Sequence, residues 1–298
     1  MKNNFYIFCS FDEWYIDLSY VFFASFNKFN SDKILHVHCI NFSDEKFAQY
    51  KDNVTKLFSN IVVESFVQES NSKLLSYDDR ESPAYAAHTE VLEHKIKFWA
   101  TSNEKHILYL DIDLLIRGDL SVFCSDTTTN VIGSRMHQDK GYGYNAGVIV
   151  INQPDNRTMW EQYQTLLKNS KDKVCYPEEY LLDNIKNYTR GEFDAHWHCV
   201  PQSELFDENS TVITHFFPVY LKLWSTEIDK IVCTIFGTKF MISANAWYEL
   251  YDKMKALDIL SDRFCQKVDK KRSAINKFLQ LKSRVDQRRN KLYGSILQ

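Results

Sequence analysis

Short apolar runs rich in β-branched and aromatic residues recur along the first half of this chain, each followed by a stretch of helical period. Residues 5–9, 34–40, 61–63, 106–110 and 148–151 have the length and composition of strands. His106-Ile-Leu-Tyr-Leu110 lacks the in-out alternation of a half-solvated strand, as in parallel sheets covered on both sides. Between these runs, residues 14–26 suit a helix, and Phe47, Tyr50, Val54 and Leu57 recur at helical intervals behind a Ser43 cap. Val91, Leu92, Ile96 and Trp99 mark a third helix over 88–100, after a polar stretch, 68–83, that reads as a loop. The alternation predicts an α/β fold with a mostly parallel central sheet and helices on both faces. It weakens beyond Gly191, where a helix over 247–260 and a final helix are expected. One large domain, 1–261, with a C-terminal helical appendage, 262–298, is the economical division.

Charge is distributed unevenly. The 36 basic and 39 acidic residues give a net charge of −3, so no global pull toward nucleic acid exists. Residues 262–298, however, hold 11 Lys/Arg against 3 Asp, leaving 25 basic and 36 acidic residues in 1–261. Aromatic residues make up 15% of the chain, enough for a well-filled core and for a cleft that stacks against sugars or bases. Seven cysteines without a CxxC pair fit a reducing compartment. With no long apolar span and a poor signal peptide, a cytoplasmic location is expected.

The chemistry concentrates in Tyr109-Leu110-Asp111-Ile112-Asp113. Two carboxylates two residues apart lie on one side of an extended chain, at the carboxyl edge where open α/β sheets bind ligands. Like charges this close repel unless a proton or cation lies between them, and a divalent ion with positions left for phosphate oxygens meets that need. A solvated turn or a helix N-terminus after a strand is the plainer reading of the same residues.

Two later segments bear on that choice. In Tyr142-Gly143-Tyr144-Asn145-Ala146-Gly147-Val148, two glycines frame an asparagine and feed a strand, allowing close backbone approach to a ligand or merely forming a Gly-rich turn. In Thr211-Val-Ile-Thr-His215, followed by Lys222 and Trp224, an imidazole ends an apolar run. A lone histidine of this kind serves either as a structural residue or as a ligand.

In this order and at this spacing, the three segments resemble the nucleotide-sugar glycosyltransferases of the GT-A fold, most closely family 8, the glycogenin and lipopolysaccharide galactosyltransferase group. The resemblance spans residues 5–224. It implies that Asp111, Asp113 and His215 hold a divalent cation, Mn²⁺ or Mg²⁺, and that Lys222 meets the diphosphate of a UDP-sugar. Pro218 stands where the family has glycine, and the His215–Lys222 spacing is one residue longer. Asn145, Ala146 and Gly147 match the loop lining the donor sugar. Cys9-Ser10-Phe11-Asp12-Glu13-Trp14-Tyr15 is similar to the first strand and turn that take uracil and ribose, with Ser10 and Asp12 as donor-binding candidates. Lys95 or Lys97 stands in for the family's donor-binding arginine.

The largest departure is Pro177-Glu178-Glu179-Tyr180-Leu181-Leu182-Asp183, which resembles the family's D-Q-x-x-L-N segment with three positions changed. Glu179 is the implied catalytic residue, as nucleophile, oxocarbenium stabiliser or acceptor-binding group. Two surface glutamates at a helix start are the alternative. The family retains anomeric configuration, so the resemblance implies transfer of a hexose from a UDP-sugar to a saccharide or lipid-linked acceptor, in cell-surface glycan synthesis. A non-catalytic sugar-nucleotide-binding scaffold and a haloacid-dehalogenase phosphatase, which also carries D-x-D after an apolar strand, are the competing classes. In the basic tail, Ala274, Phe278, Leu281, Val285 and Leu292 recur at three- and four-residue steps or their multiples. That pattern fits a helix on an anionic membrane surface, a self-association seam or a helix packed on its own domain.

Overall fold

The structure, a computed structural model, describes residues 5–69, 83–134, 143–152, 156–169, 177–201, 203–216, 222–224 and 238–294. These residues fall into two compact units, 1–215 and 216–298.

In the first unit, β1 (Tyr6–Phe11), β2 (Leu35–Ile40) and β3 (Ile61–Phe66) pair in parallel, and β1 pairs in parallel with β4 (His106–Leu110). The sheet continues through β7 (Asn145–Asn152), β6 (Val131–Ser134) and β8 (Arg190–Glu192), in the order β3-β2-β1-β4-β7-β6-β8. Four of its six strand pairs are parallel; β7 runs antiparallel to both neighbours. The expected mostly parallel sheet is therefore present, with a mixed centre that apolar composition could not reveal, because a doubly covered strand reads alike in either direction.

Right-handed crossovers fix where the helices lie. The chain steps outward from β1 through α1 (Ile16–Asn30) to β2 and through α2 (Asp44–Leu57) to β3, then returns through α3 (Pro83–Thr101) to β4, so α3 covers the opposite face. α3 packs on β1 and β2 and against α4 (Asn156–Asn169) and α5 (Pro177–Asn184). The core on this side joins Phe8, Ile107, Tyr109, Ile149 and Ile151 of the sheet to Ile96, Trp99, Met159, Leu181 and Leu182 of the helices. The alternate strand residues Ile7, Cys9, Leu108 and Leu110 are also buried, as double coverage requires.

Three local expectations are revised. The first helix opens with a 3-10 turn, Glu13–Tyr15, before α1 begins at Ile16. Ser43 does precede α2, but its side chain makes no capping bond. Its N–H instead donates to Glu13 Oε1 at 2.7 Å, and Glu13 also pairs with Lys46. α3 starts at Pro83, earlier than the apolar stripe indicated, because proline suits the first turn of a helix. Most of the stretch read as a loop, 70–82, lies outside the described residues.

A smaller sheet, β5-β10-β9, completes the unit: β5 (Leu114–Ile116) pairs antiparallel with β10 (Ile213–His215), and β10 parallel with β9 (His198–Cys199).

The second unit contains α6 (Thr238–Ala256) and α7 (Asp262–Gly294). α6 ends before the expected Leu260, at a turn where Asp258 takes φ 55°. Arg272 of α7 pairs with Asp252 at 2.9 Å, and Asp269 accepts from Lys255 at 2.6 Å and from the Tyr251 hydroxyl at 3.0 Å. Val268 and Ile275 of α7 are buried. Among the described residues, no helix is long and apolar enough to cross a membrane.

Candidate active site and metal centre

β4 leaves the large sheet at Leu110, and the next strand, β5, enters the small one at Leu114. The D-x-D segment bridges the two. Asp111 N–H donates to Gly147 O at 2.8 Å, adding a bond beyond the last β4–β7 pair, Leu110↔Val148. Asp113 directly precedes β5, whose Leu114 is paired with His215 of β10. Strand pairing thus carries an imidazole from a hundred residues away to the second aspartate, with His215 Nε2 3.1 Å from Asp113 Oδ1. One ligand atom each from Asp111, Asp113 and His215 lie within 4.8 Å of one another.

The donor set fits a divalent cation. Two carboxylates offer hard oxygen and an imidazole adds borderline nitrogen, a combination that suits Mn²⁺ and leaves positions for other ligands. The Tyr109 hydroxyl donates to Asp111 Oδ1 at 2.6 Å and orients that carboxylate.

Asn145, Ala146 and Gly147 open β7 behind this group. Gly147 N–H donates to Asn145 Oδ1 at 3.1 Å, and Ala146 N–H to Glu179 Oε1 at 3.3 Å. Gly143 N–H donates to the Asp183 carboxylate, tying this loop to α5.

The two lysines separate. Lys95 is buried, its Nζ 3.8 Å from Asp111 Oδ1, 3.7 Å from Glu178 Oε1 and 4.4 Å from the centroid of the Tyr109 ring. Lys97, two residues along α3, is exposed. Glu178 and Glu179 are not surface glutamates: they are only 5% and 4% exposed. Burial pushes the Glu178 carboxyl up. For Glu179, burial and then the neighbouring Glu178 charge raise it to about 8. Glu178 Oε2 has no hydrogen-bond partner.

Asp12 terminates β1 and caps the following turn, with Oδ1 accepting from Trp14 N–H at 2.8 Å. Its Oδ2 is buried without a partner, and burial raises the carboxyl to about 6. Ser10 is buried beside it in β1, and the Trp14 side chain is 64% exposed. Lys222 belongs to the second unit, where its Nζ lies 6.0 Å from the centroid of the Trp224 ring; Pro218 lies outside the described residues.

Sequence reasoning missed His198 and Ser134. His198 Nε2 is 3.2 Å from His215 Nδ1, and His198 Nδ1 is 2.9 Å from Ser134 Oγ. β9 is two residues long, too short to leave a periodic signal, and Ser134 ends a four-residue strand.

No family model matches the sequence, and no curated protein does. Solved structures do match. The galactosyltransferase LgtC, in complex with donor and acceptor sugar analogs, is 19% identical over 88% of this chain and 99% of that one, with a TM-score of 0.64. An active-site Gln-to-Glu variant of LgtC matches at 20% identity over 83% of this chain and 95% of that one, with a TM-score of 0.60. The glycosyltransferase GlyE of Streptococcus pneumoniae TIGR4 matches at 15% identity over 86% of this chain and 65% of that one, with a TM-score of 0.57. The chain therefore has a GT-A fold of the kind these glycosyltransferases share.

Proposed function

We propose that this chain is a divalent-cation-dependent retaining glycosyltransferase, moving a hexose from a UDP-sugar to a saccharide or lipid-linked acceptor. The observation that carries the reading is the convergence of Asp111, Asp113 and His215 at the carboxyl edge of the sheet. That convergence on a glycosyltransferase fold also counts against the phosphatase class, and an intact triad counts against a purely scaffolding role.

In this reading, Asp111, Asp113 and His215 hold the cation, which when bound supplies positive charge to the departing diphosphate. Ser10 and the spare oxygen of Asp12 take the nucleoside. Lys95 orders the carboxylates of Asp111 and Glu178 around the donor sugar, and Asn145, Ala146 and Gly147 line it. Glu179 faces the anomeric carbon, where it can stabilise developing positive charge once ionised. Its elevated pKa means that it holds its proton at neutral pH and then acts as a hydrogen-bond donor. LgtC with an active-site glutamate for glutamine offers a solved parallel for a carboxyl group in such a site.

A thermal-shift panel of nucleotide sugars with and without Mn²⁺ tests the proposal, since a ligand bound by the native state raises its melting temperature. Metal-dependent stabilisation by a UDP-hexose supports it, and the absence of stabilisation by every nucleotide sugar contradicts it. The basic surplus of residues 262–298 further supports placement at an anionic, cytoplasmic membrane face for glycan synthesis there. Flotation of the full chain with anionic but not neutral vesicles is the expected result; no flotation with either favours self-association or packing.

A further inference from the structure

We propose that His198 is a positioning residue of the cation site, holding His215 in the orientation and tautomer that ligation requires. The proposal rests on the metal-centre reading above and adds a residue that the resemblance does not supply.

The placement is specific. β9 and β10 pair in parallel with Ile213 opposite His198, so His215, two residues on, projects on the same face. The two imidazoles stack with centroids 5.2 Å apart and planes 19° from parallel. His198 is 2% exposed and His215 1%. A hydrogen-bonded row therefore runs from Ser134 in the large sheet through His198 and His215 in the small one to Asp113.

Ligation dictates the direction of this row. The nitrogen of His215 nearest Asp113 is Nε2, and giving its lone pair to a cation leaves the ring proton on Nδ1. Nδ1–H then donates to His198 Nε2. His198 consequently carries its own proton on Nδ1 and donates it to Ser134 Oγ, a hydroxyl oxygen able to accept. Without a cation the reverse sense is equally complete: Ser134 donates to His198, His198 to His215, and His215 Nε2–H to Asp113. Each sense leaves both rings neutral. Filling the site therefore releases the His215 Nε2 proton to solvent at the cation end and returns one proton from solvent to Ser134 Oγ at the other, so the net count along the row is unchanged.

The test measures Mn²⁺ alone, by paramagnetic resonance of the free ion titrated into the full chain without nucleotide. His198→Phe keeps an aromatic ring of similar size and removes the acceptor. It should weaken Mn²⁺ binding about 10- to 100-fold, as loss of a partner to a ligating histidine does. His198→Gln, whose amide oxygen can accept from His215, should recover affinity to within a few-fold of the parent, and Ser134→Ala should fall between them. A folded His198→Phe protein that binds Mn²⁺ like the parent overturns the proposal. If Asp113→Asn also leaves Mn²⁺ binding unchanged, the metal-centre reading itself has failed, a separate outcome. Should His198→Phe not fold, nitrogen-15 imidazole spectra of the parent loaded with diamagnetic Zn²⁺ decide. Nδ1–H on both rings supports the row, and Nε2–H on His198 overturns it.

Discussion

A Cβ on Gly147 would overlap His215 Cε1 and stand 3.0 Å from Asp111 Oδ2. The glycine is thus the space into which two prospective ligands fit, and it serves close approach rather than an unusual backbone angle. Gly147→Ala should displace the buried imidazole, lower Mn²⁺ affinity by at least about tenfold and destabilise the fold by about 1–3 kcal/mol, as overpacking does. Paired metal titration and thermal melting of the variant check both effects.

Asp113→Asn should reduce transfer or donor hydrolysis by orders of magnitude at saturating Mn²⁺. Its melting temperature without metal should match or exceed the parent's, because repulsion between Asp111 and Asp113 is relieved. Unchanged turnover in a folded variant removes the metal assignment.

Much of this candidate site is legible in the sequence. The D-x-D residues, Asn145–Gly147 and His215 sit at the ends of apolar runs, and strand ends are visible in sequence. What sequence could not supply was the pairing that joins distant segments. The antiparallel β7, the burial of Lys95 beside Asp111 while Lys97 is exposed, and the place of His198 all follow from tertiary packing. Glu178 and Glu179 look like helix-dipole residues in the sequence. They are buried because α5 packs against α3 and β7.

Glu179 gives stability a pH dependence. Its carboxyl rises from 4.5 to about 8 on folding, so between these values the unfolded chain has lost a proton that the native state keeps. The contribution is complete below pH 4.5 and is lost as pH rises through 8, at up to about 1.4 kcal/mol per pH unit. Glu179→Gln removes this loss. Its stability relative to the parent, from urea unfolding, should grow between pH 5 and pH 8, while its activity falls.

The opposite window belongs to a histidine pair in the first unit. His38 Nδ1 lies 3.0 Å from His94 Nε2 among Phe8, Phe66 and Phe98. Burial lowers His38 to about 2 and His94 to about 4. Both rings are neutral when folded and take protons when unfolded, so stability is full above pH 6.5 and is lost progressively as pH falls through these values. His94→Gln should flatten the fall between pH 6.5 and pH 4.5 in a series of denaturant midpoints; an unchanged slope contradicts the assignment.

The most direct test of the central claim is calorimetric titration of UDP into the full chain, once with Mn²⁺ and once with a chelator. If Asp111, Asp113 and His215 hold a cation that grips the diphosphate, UDP should bind at least about tenfold more tightly with Mn²⁺, and Asp113→Asn should abolish the difference. Equal UDP affinity with and without metal in the parent protein would contradict the account.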